Sequence, residues 1–175
     1  MRLISPSNTL KHSFKRFYLD LEQSDPVRAE YYQESQLNFN HYVQRLADEE
    51  KGINLKPNYV PCHHFWLIDE REQILGCLRI RHTLSNHFLL IEAGHIGYDI
   101  APTFRGKGLG TMMLKLALPR AKQLNIDKAL ITADEDNIAS RKVIEANGGQ
   151  LESIITGTVF PYRIARYWVD CHSHG

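Results

Sequence analysis

Residues 96–111 constrain the fold more than any other stretch of the chain. Ile96, Tyr98 and Ile100 alternate with Gly97 and Asp99, the period-two pattern of a half-buried strand. Pro102 closes that strand, because proline cannot donate to a ladder. From Leu109 the period changes, with Leu109, Met112, Met113, Leu116, Ala117 and Ala121 recurring at helical spacing. Between strand and helix lie Gly106, Gly108 and Gly110, interleaved with Lys107 and preceded by Arg105. A helix start leaves its first N–H groups unpaired and carries the positive end of the macrodipole. Glycine lets a ligand reach that backbone with no Cβ in the way. Strand, glycine loop and helix in this order suit a diphosphate. The plain alternative is a strand-to-helix turn with solvated charges; the two cations in the loop favour the anion site.

Two nucleotide patterns fail here. A P-loop needs Lys-Ser/Thr directly after its last glycine, and Gly110 is followed by Thr111 and Met112. The dinucleotide pattern needs a third glycine where Thr111 stands. What fits is R-x-x-G-x-G from Arg105 to Gly110, which resembles the acyl-CoA signature of the GNAT N-acetyltransferase superfamily. The resemblance implies that Arg105, Gly106, Lys107, Gly108, Leu109, Gly110 and Thr111 hold the CoA pyrophosphate, and that the strand ending at Ile100 pairs with the pantetheine arm.

A length of 175 residues suits one domain, here taken as 1–175, with a substantial core. A formal net charge of +1 argues against a dedicated nucleic-acid or acidic-membrane binder. Cys62, Cys77 and Cys171 are too few and too scattered for a disulfide framework and read as reduced thiols of a cytoplasmic protein. No signal-peptide pattern and no membrane-spanning apolar run is expected.

In chain order, residues 2–5 read as a strand. Leu10, Phe14, Phe17, Tyr18 and Leu21 mark a helix broken at Asp25-Pro26, and a second helix spans 38–50. Strands follow at 64–68, 74–82 and 88–100, the last interrupted at Gly94 and Gly97. A helix from Leu109 to about Asn125 should kink at Pro119. Then come a buried strand 128–133, a helix 137–146 stopped by Asn147-Gly148-Gly149, and closing strands 151–155 and 163–169. The order β-α-α-β-β-β-α-β-α-β-β matches the GNAT order. The fold expected is α/β (α+β), a mixed central sheet of about seven strands flanked by helices. Its fourth and fifth strands should run parallel and splay at their carboxyl ends; an antiparallel or non-adjacent pair would contradict the resemblance.

Residues 133–149 resemble the second GNAT motif, in which an Asn opens a short helix beside the cofactor. Asn137 matches that Asn and Ser140 the small position after it, with Arg141 and Lys142 available to phosphates; helix capping explains Asn137 and Ser140 equally. Together with residues 94–98, these motifs look like a bacterial branch of the superfamily known as predicted acetyltransferases. No metal is expected: Asp134, Glu135 and Asp136 read as a solvated turn, His63 and His64 point to opposite faces of a strand, and Cys171 to His174 reads as a frayed tail.

The reaction implied is transfer of an acetyl group from acetyl-CoA to a primary amine of a small molecule or peptide. An alkylammonium, with a pKa of about 10, must first lose a proton. The positions at which the family carries its usual Tyr acid and Glu base hold Ile144 and Gly94. Glu92 and His95, thought to share one strand, are therefore the candidate bases, and Tyr162 the candidate acid, with Tyr98 and Tyr167 also near. The other reading is a catalytically silent acyl-CoA sensor or partner-binding module. A homodimer is left open.

Overall fold

In a computed structural model of the chain, residues 1–171 are described; His172, Ser173 and His174 of the expected tail lie outside the described residues. The elements are β1 (Arg2–Ile4), α1 (Lys11–Ser24), α2 (Pro26–Ala29), α3 (Glu34–Leu37), α4 (Phe39–Glu50), β2 (Cys62–Ile68), β3 (Ile74–Arg81), β4 (Ile96–Ile100), α5 (Leu109–Gln123), β5 (Lys128–Asp134), α6 (Ile138–Ala146), β6 (Gln150–Thr156) and β7 (Arg163–Asp170). The seven strands form two sheets rather than one, β1-β2-β3-β4 and β5-β7-β6, with every ladder antiparallel.

The first sheet separates two apolar clusters. Trp66, Ile68 and Cys77 face α1 and α4, where Phe14 meets Trp66 at 4.8 Å between ring centroids. Phe65, Leu67, Leu78 and Ile80 face α5, which inserts Met113, Ala117 and Ala121. Strand alternation sends neighbours to opposite cores, so Arg79 and Arg81 share the face of Cys77, toward α1–α4.

Several expectations are corrected. Asp25-Pro26 does end α1, but it also starts α2: the Asp25 carboxylate accepts from the Arg28 N–H at 3.1 Å and proline takes the first turn. Residues 88–100 are not one strand. Leu89–Ala93 is a π-helical turn, capped where Asn86 Oδ1 accepts from the Leu89 N–H at 2.9 Å, and β4 begins only at Ile96. The apolar run 88–91 has no periodicity that separates strand from helix. As expected, Pro119 lies inside α5.

The parallel pairing expected of β4 and β5 is absent. One isolated bridge of antiparallel type joins Gly94 to Ile131, and the His95 N–H donates to Leu130 O at 2.7 Å. Gly94 has φ of 70°, and a Cβ there would sit 2.4 Å from the Leu130 carbonyl oxygen, so only glycine allows this seam. No ladder follows it, and β4 keeps a free edge beyond His95.

Candidate active site

A cleft of about 1090 Å³ opens where the two sheets part. At one end stand the glycine loop and the start of α5; α6 and β5 form a side; at the far end lie Tyr31, Tyr59, His64, Arg79 and Arg81.

The loop end is an anion cradle. Gly108 is the residue before α5, in the left-handed region at φ 75°, and Gly106 has φ 74°. A Cβ on either would meet nothing within 4 Å, so the backbone is open to a ligand. No side chain caps α5, and its first intrahelical bond is given by the Met112 N–H to Gly108 O. The amides of Leu109, Gly110 and Thr111 come before it and have no intrahelical acceptor, and these three residues line the cleft. Gly110 serves differently: a Cβ there would lie 3.0 Å from Val143 Cγ2, so it lets α5 pack against α6. Arg105 is exposed and its Nε donates to Ile100 O at 3.1 Å, tying the loop to the end of β4. Lys107 lies over the Phe104 ring at 5.2 Å. Ile100, Thr111 and Lys142 line the cleft. Arg141 does not reach it: its Nε donates to the Tyr167 hydroxyl at 2.9 Å and Nη1 to Glu135 O.

Asn137 and Ser140 enter the site together. Asn137 Oδ1 accepts from the Ser140 N–H at 3.1 Å and so caps α6. Ser140 Oγ lies 2.9 Å from the Tyr98 hydroxyl, across the cleft wall. Burial pushes the Tyr98 hydroxyl up to about 12, so it keeps its proton at neutral pH.

The two candidate bases are held otherwise. Glu92 is on the π-helical turn, not on β4, and is buried. Its carboxylate accepts from the N–H groups of Thr158, Val159 and Phe160 at 2.7–3.0 Å and from the Thr158 hydroxyl at 2.9 Å. These backbone donors, that of Phe160 first, hold its pKa down to about 2. His95 Nδ1 accepts from the Leu130 N–H at 3.0 Å, which leaves the ring proton on Nε2. Burial, with Arg81 nearby, lowers its pKa to about 4. Neither group turns a free basic lone pair to the cleft. Tyr162 is 58% exposed on the loop after β6 and does not line the cleft. Tyr167 is fully buried and donates to Glu145 Oε1 at 2.7 Å.

Sequence reading missed the far end. There Asp99 Oδ2 accepts from the Tyr32 hydroxyl at 2.5 Å and from Arg79 Nη1 at 3.3 Å, and Arg28 Nε is 3.4 Å from Oδ1. The Arg79 guanidinium lies 4.4 Å from the Tyr31 ring centroid, a cation–π contact, and its Nε is buried with no hydrogen-bond partner. A Cβ on Gly97 would fall 2.8 Å from that Nε, so the glycine inside β4 makes room for the arginine. His64 Nε2 is 2.7 Å from Glu49 Oε2; burial would depress the imidazole, but Cys62 and Glu49 beside it hold its pKa up to about 9. The signal available was parity alone: Arg79 and Arg81 on the same strand face as Cys77. Among the described residues no group of three metal-ligating side chains comes together.

The family model of the acetyltransferase (GNAT) domain matches residues 14–150. The chain belongs to the GNAT acetyltransferase family. Solved structures with the same fold include RimJ of Mycobacterium smegmatis in complex with a CoA disulfide, at 16% identity and a TM-score of 0.70 over 96% of this chain and 80% of that one. The Salmonella typhimurium acetyltransferase that modifies the N-terminal serine of ribosomal protein L7/L12 aligns at 17% identity and a TM-score of 0.65, covering 96% and 93%. A spermidine N-acetyltransferase SpeG chimera from Vibrio cholerae and hSSAT gives 16%, 0.61, 98% and 96%. A search of curated proteins finds no match. Membership holds although β4 and β5 form no parallel ladder in this chain. No helix among the described residues is long and apolar enough to cross a membrane.

Proposed function

We propose that this GNAT protein binds acetyl-CoA in the cleft and moves the acetyl group to a primary amine of a small molecule or peptide. The open, left-handed backbone at Gly106 and Gly108, leading into the uncapped start of α5, carries the reading. A diphosphate fits there: the Leu109, Gly110 and Thr111 amides would hold it, with Arg105, Lys107 and Lys142 supplying charge. The free edge of β4, ending at Ile100, offers unpaired backbone groups to the amides of a pantetheine arm. Asn137 would keep α6, and with it Ser140, beside that arm. When bound, acetyl-CoA supplies an activated thioester. Relatives named for spermidine and for ribosomal-protein acetylation support an amine acceptor.

Within the cleft the Tyr98–Ser140 hydroxyl pair is the proton donor nearest α6, and either oxygen can hand its proton on while drawing one from the other. With Glu92 held by amides and His95 by Leu130, the acceptor ammonium loses its proton to water, and the cleft contributes positioning. The buried, unpaired thiols of Cys62, Cys77 and Cys171 suit a cytoplasmic setting.

The test is thermal denaturation with acetyl-CoA followed by thiol release with an amine panel. At about 100 times the dissociation constant the ligand adds about 2.7 kcal/mol, a rise in Tm of roughly 5–10 °C for a chain of this size. No shift at millimolar acetyl-CoA overturns the reading. A shift with no thiol release from any amine would favour the silent binding module.

A further inference from the structure

We propose that Arg81 binds a carboxylate on the acceptor, so that the substrates are amines that also carry an acidic group. The inference rests on the reading of the cleft as an acetyltransferase site.

Three cationic side chains stand together on one face of the first sheet, at the cleft end away from the glycine loop. His64 pairs across the strands with Arg79, and Cys62 with Arg81, so the three share a face. Like charges side by side on a sheet repel unless compensated. His64 has Glu49, and Arg79 has Asp99. Arg81 has no carboxylate within ion-pair distance among the described residues; its Nη1 donates to the Gly94 carbonyl at 3.1 Å. Burial and the charge of Arg79 both weigh against the Arg81 cation, yet a guanidinium does not deprotonate in a protein. Arg81 is half-buried, and its unbonded N–H groups still meet solvent, so a ligand carboxylate exchanges that water for an ion pair in a partly screened site. With Nη1 on Gly94, the Nε and Nη2 edge is left to form a two-pronged bond with a carboxylate. Asp99 serves both Arg79 and Arg28, and Glu49 both His64 and Arg45, so Arg81 shares no carboxylate with its neighbours, and its planar fork matches the two coplanar oxygens of a carboxylate.

The same charges disfavour a polyamine, whose second ammonium would enter beside Arg28, Arg79 and Arg81. Spacing narrows the class further. Tyr98 pairs across the strands with Leu78, and Arg81 lies three residues further along β3, an odd number, so the two side chains leave opposite faces of the sheet although both line the cleft. At about 3.3 Å per residue the two positions are about 10 Å apart. A substrate that reaches both therefore carries its amine and its carboxylate at the two ends of an extended chain, as in ε-aminocaproate. Tyr59, Phe88 and Phe160 also line the cleft and suit an apolar spacer.

Acetyl-CoA binding is measured first, because its absence marks failure of the site reading and not of Arg81's role. Thiol release is then compared for ε-aminocaproate, its carboxamide and spermidine, with the unaltered protein, Arg81→Gln and Arg81→Lys. The expected result is a kcat/KM at least about tenfold higher for the acid than for its amide, with spermidine below both. Arg81→Gln brings the acid-to-amide ratio near one, and Arg81→Lys keeps part of it. A ratio near one in the unaltered protein, or one that survives Arg81→Gln, overturns the proposal. If Arg81→Gln does not fold, the ratio in the unaltered protein decides alone. If no amine turns over, calorimetric titration of ε-aminocaproate into the CoA-loaded protein decides: salt-sensitive binding absent with the carboxamide supports the proposal, and no binding overturns it.

Discussion

The Tyr98 hydroxyl, carried by β4, lies 2.9 Å from Ser140 Oγ on α6, so one hydrogen bond spans the wall between strand and helix inside the cleft. Ser140 is in turn tied through its N–H to Asn137, which fixes the pair to the start of α6. Tyr98→Phe should therefore lower kcat by about 10²-fold, the lower end of general-acid effects, with KM for acetyl-CoA changed only a few-fold. Ser140→Ala should cost less, because Tyr98 keeps its own proton. Steady-state thiol release checks both; an unchanged kcat for Tyr98→Phe would remove the pair from the chemistry.

Gly108→Asp should abolish the acetyl-CoA shift in Tm. A carboxylate at the open backbone before α5 would oppose the diphosphate directly, and the φ of 75° adds strain for any side chain. Arg105→Ala should only weaken the shift, since Arg105 is exposed and bonded to Ile100 O. Thermal scans with and without ligand separate the two.

The held bases make pH predictions of defined sign. Glu92 has a folded pKa held down to about 2, against 4.5 for a free glutamate. Its contribution to stability is thus present above the unfolded pKa and is lost as pH falls through the window from 4.5 to 2. The urea-midpoint gap between the unaltered protein and Glu92→Gln should shrink as pH falls through that window. His95, lowered to about 4 from 6.5, favours the fold in its neutral form. Its contribution is present above 6.5 and is lost on acidification toward 4. A histidine-resolved NMR titration should give a His95 midpoint near 4; a midpoint near 6.5 would show that the Leu130 bond is not kept in solution.

Gly94→Ala should destabilise the protein by more than the roughly 1–3 kcal/mol of an ordinary backbone strain. Its Cβ meets the Leu130 carbonyl at 2.4 Å, and backbone cannot move aside as a side chain can. Denaturant unfolding measures the loss, and amide exchange at His95 should rise with it, since that N–H makes the bond across the seam.

What could be read from the sequence was local. The glycine loop, the start of α5 and the Asn137 cap each depend on residues a few positions apart, and the sequence displays such spacings. Glu92 could not be read, because its partners are 66–68 residues away and its strand was instead a π-helical turn set by Asn86. Ile144, at the position where the family carries its usual acid, is fully buried in the core, so that helix face has packing rather than chemistry to do. The Asp99–Tyr32 bond joins residues 67 apart, and nothing in the alternation of β4 announces it.

The strand order β5-β7-β6 puts the last of the described strands in the middle of its sheet. Neither β5 nor β6 has a described ladder partner other than β7. On a ribosome, the first sheet can close while the second stays open, because its central strand has yet to emerge. The second sheet, whose β5 forms one side of the cleft, is complete only once residues 163–170 pair with both edges. A stop codon before Arg163 would leave both as bare β-edges, open to pairing with other chains.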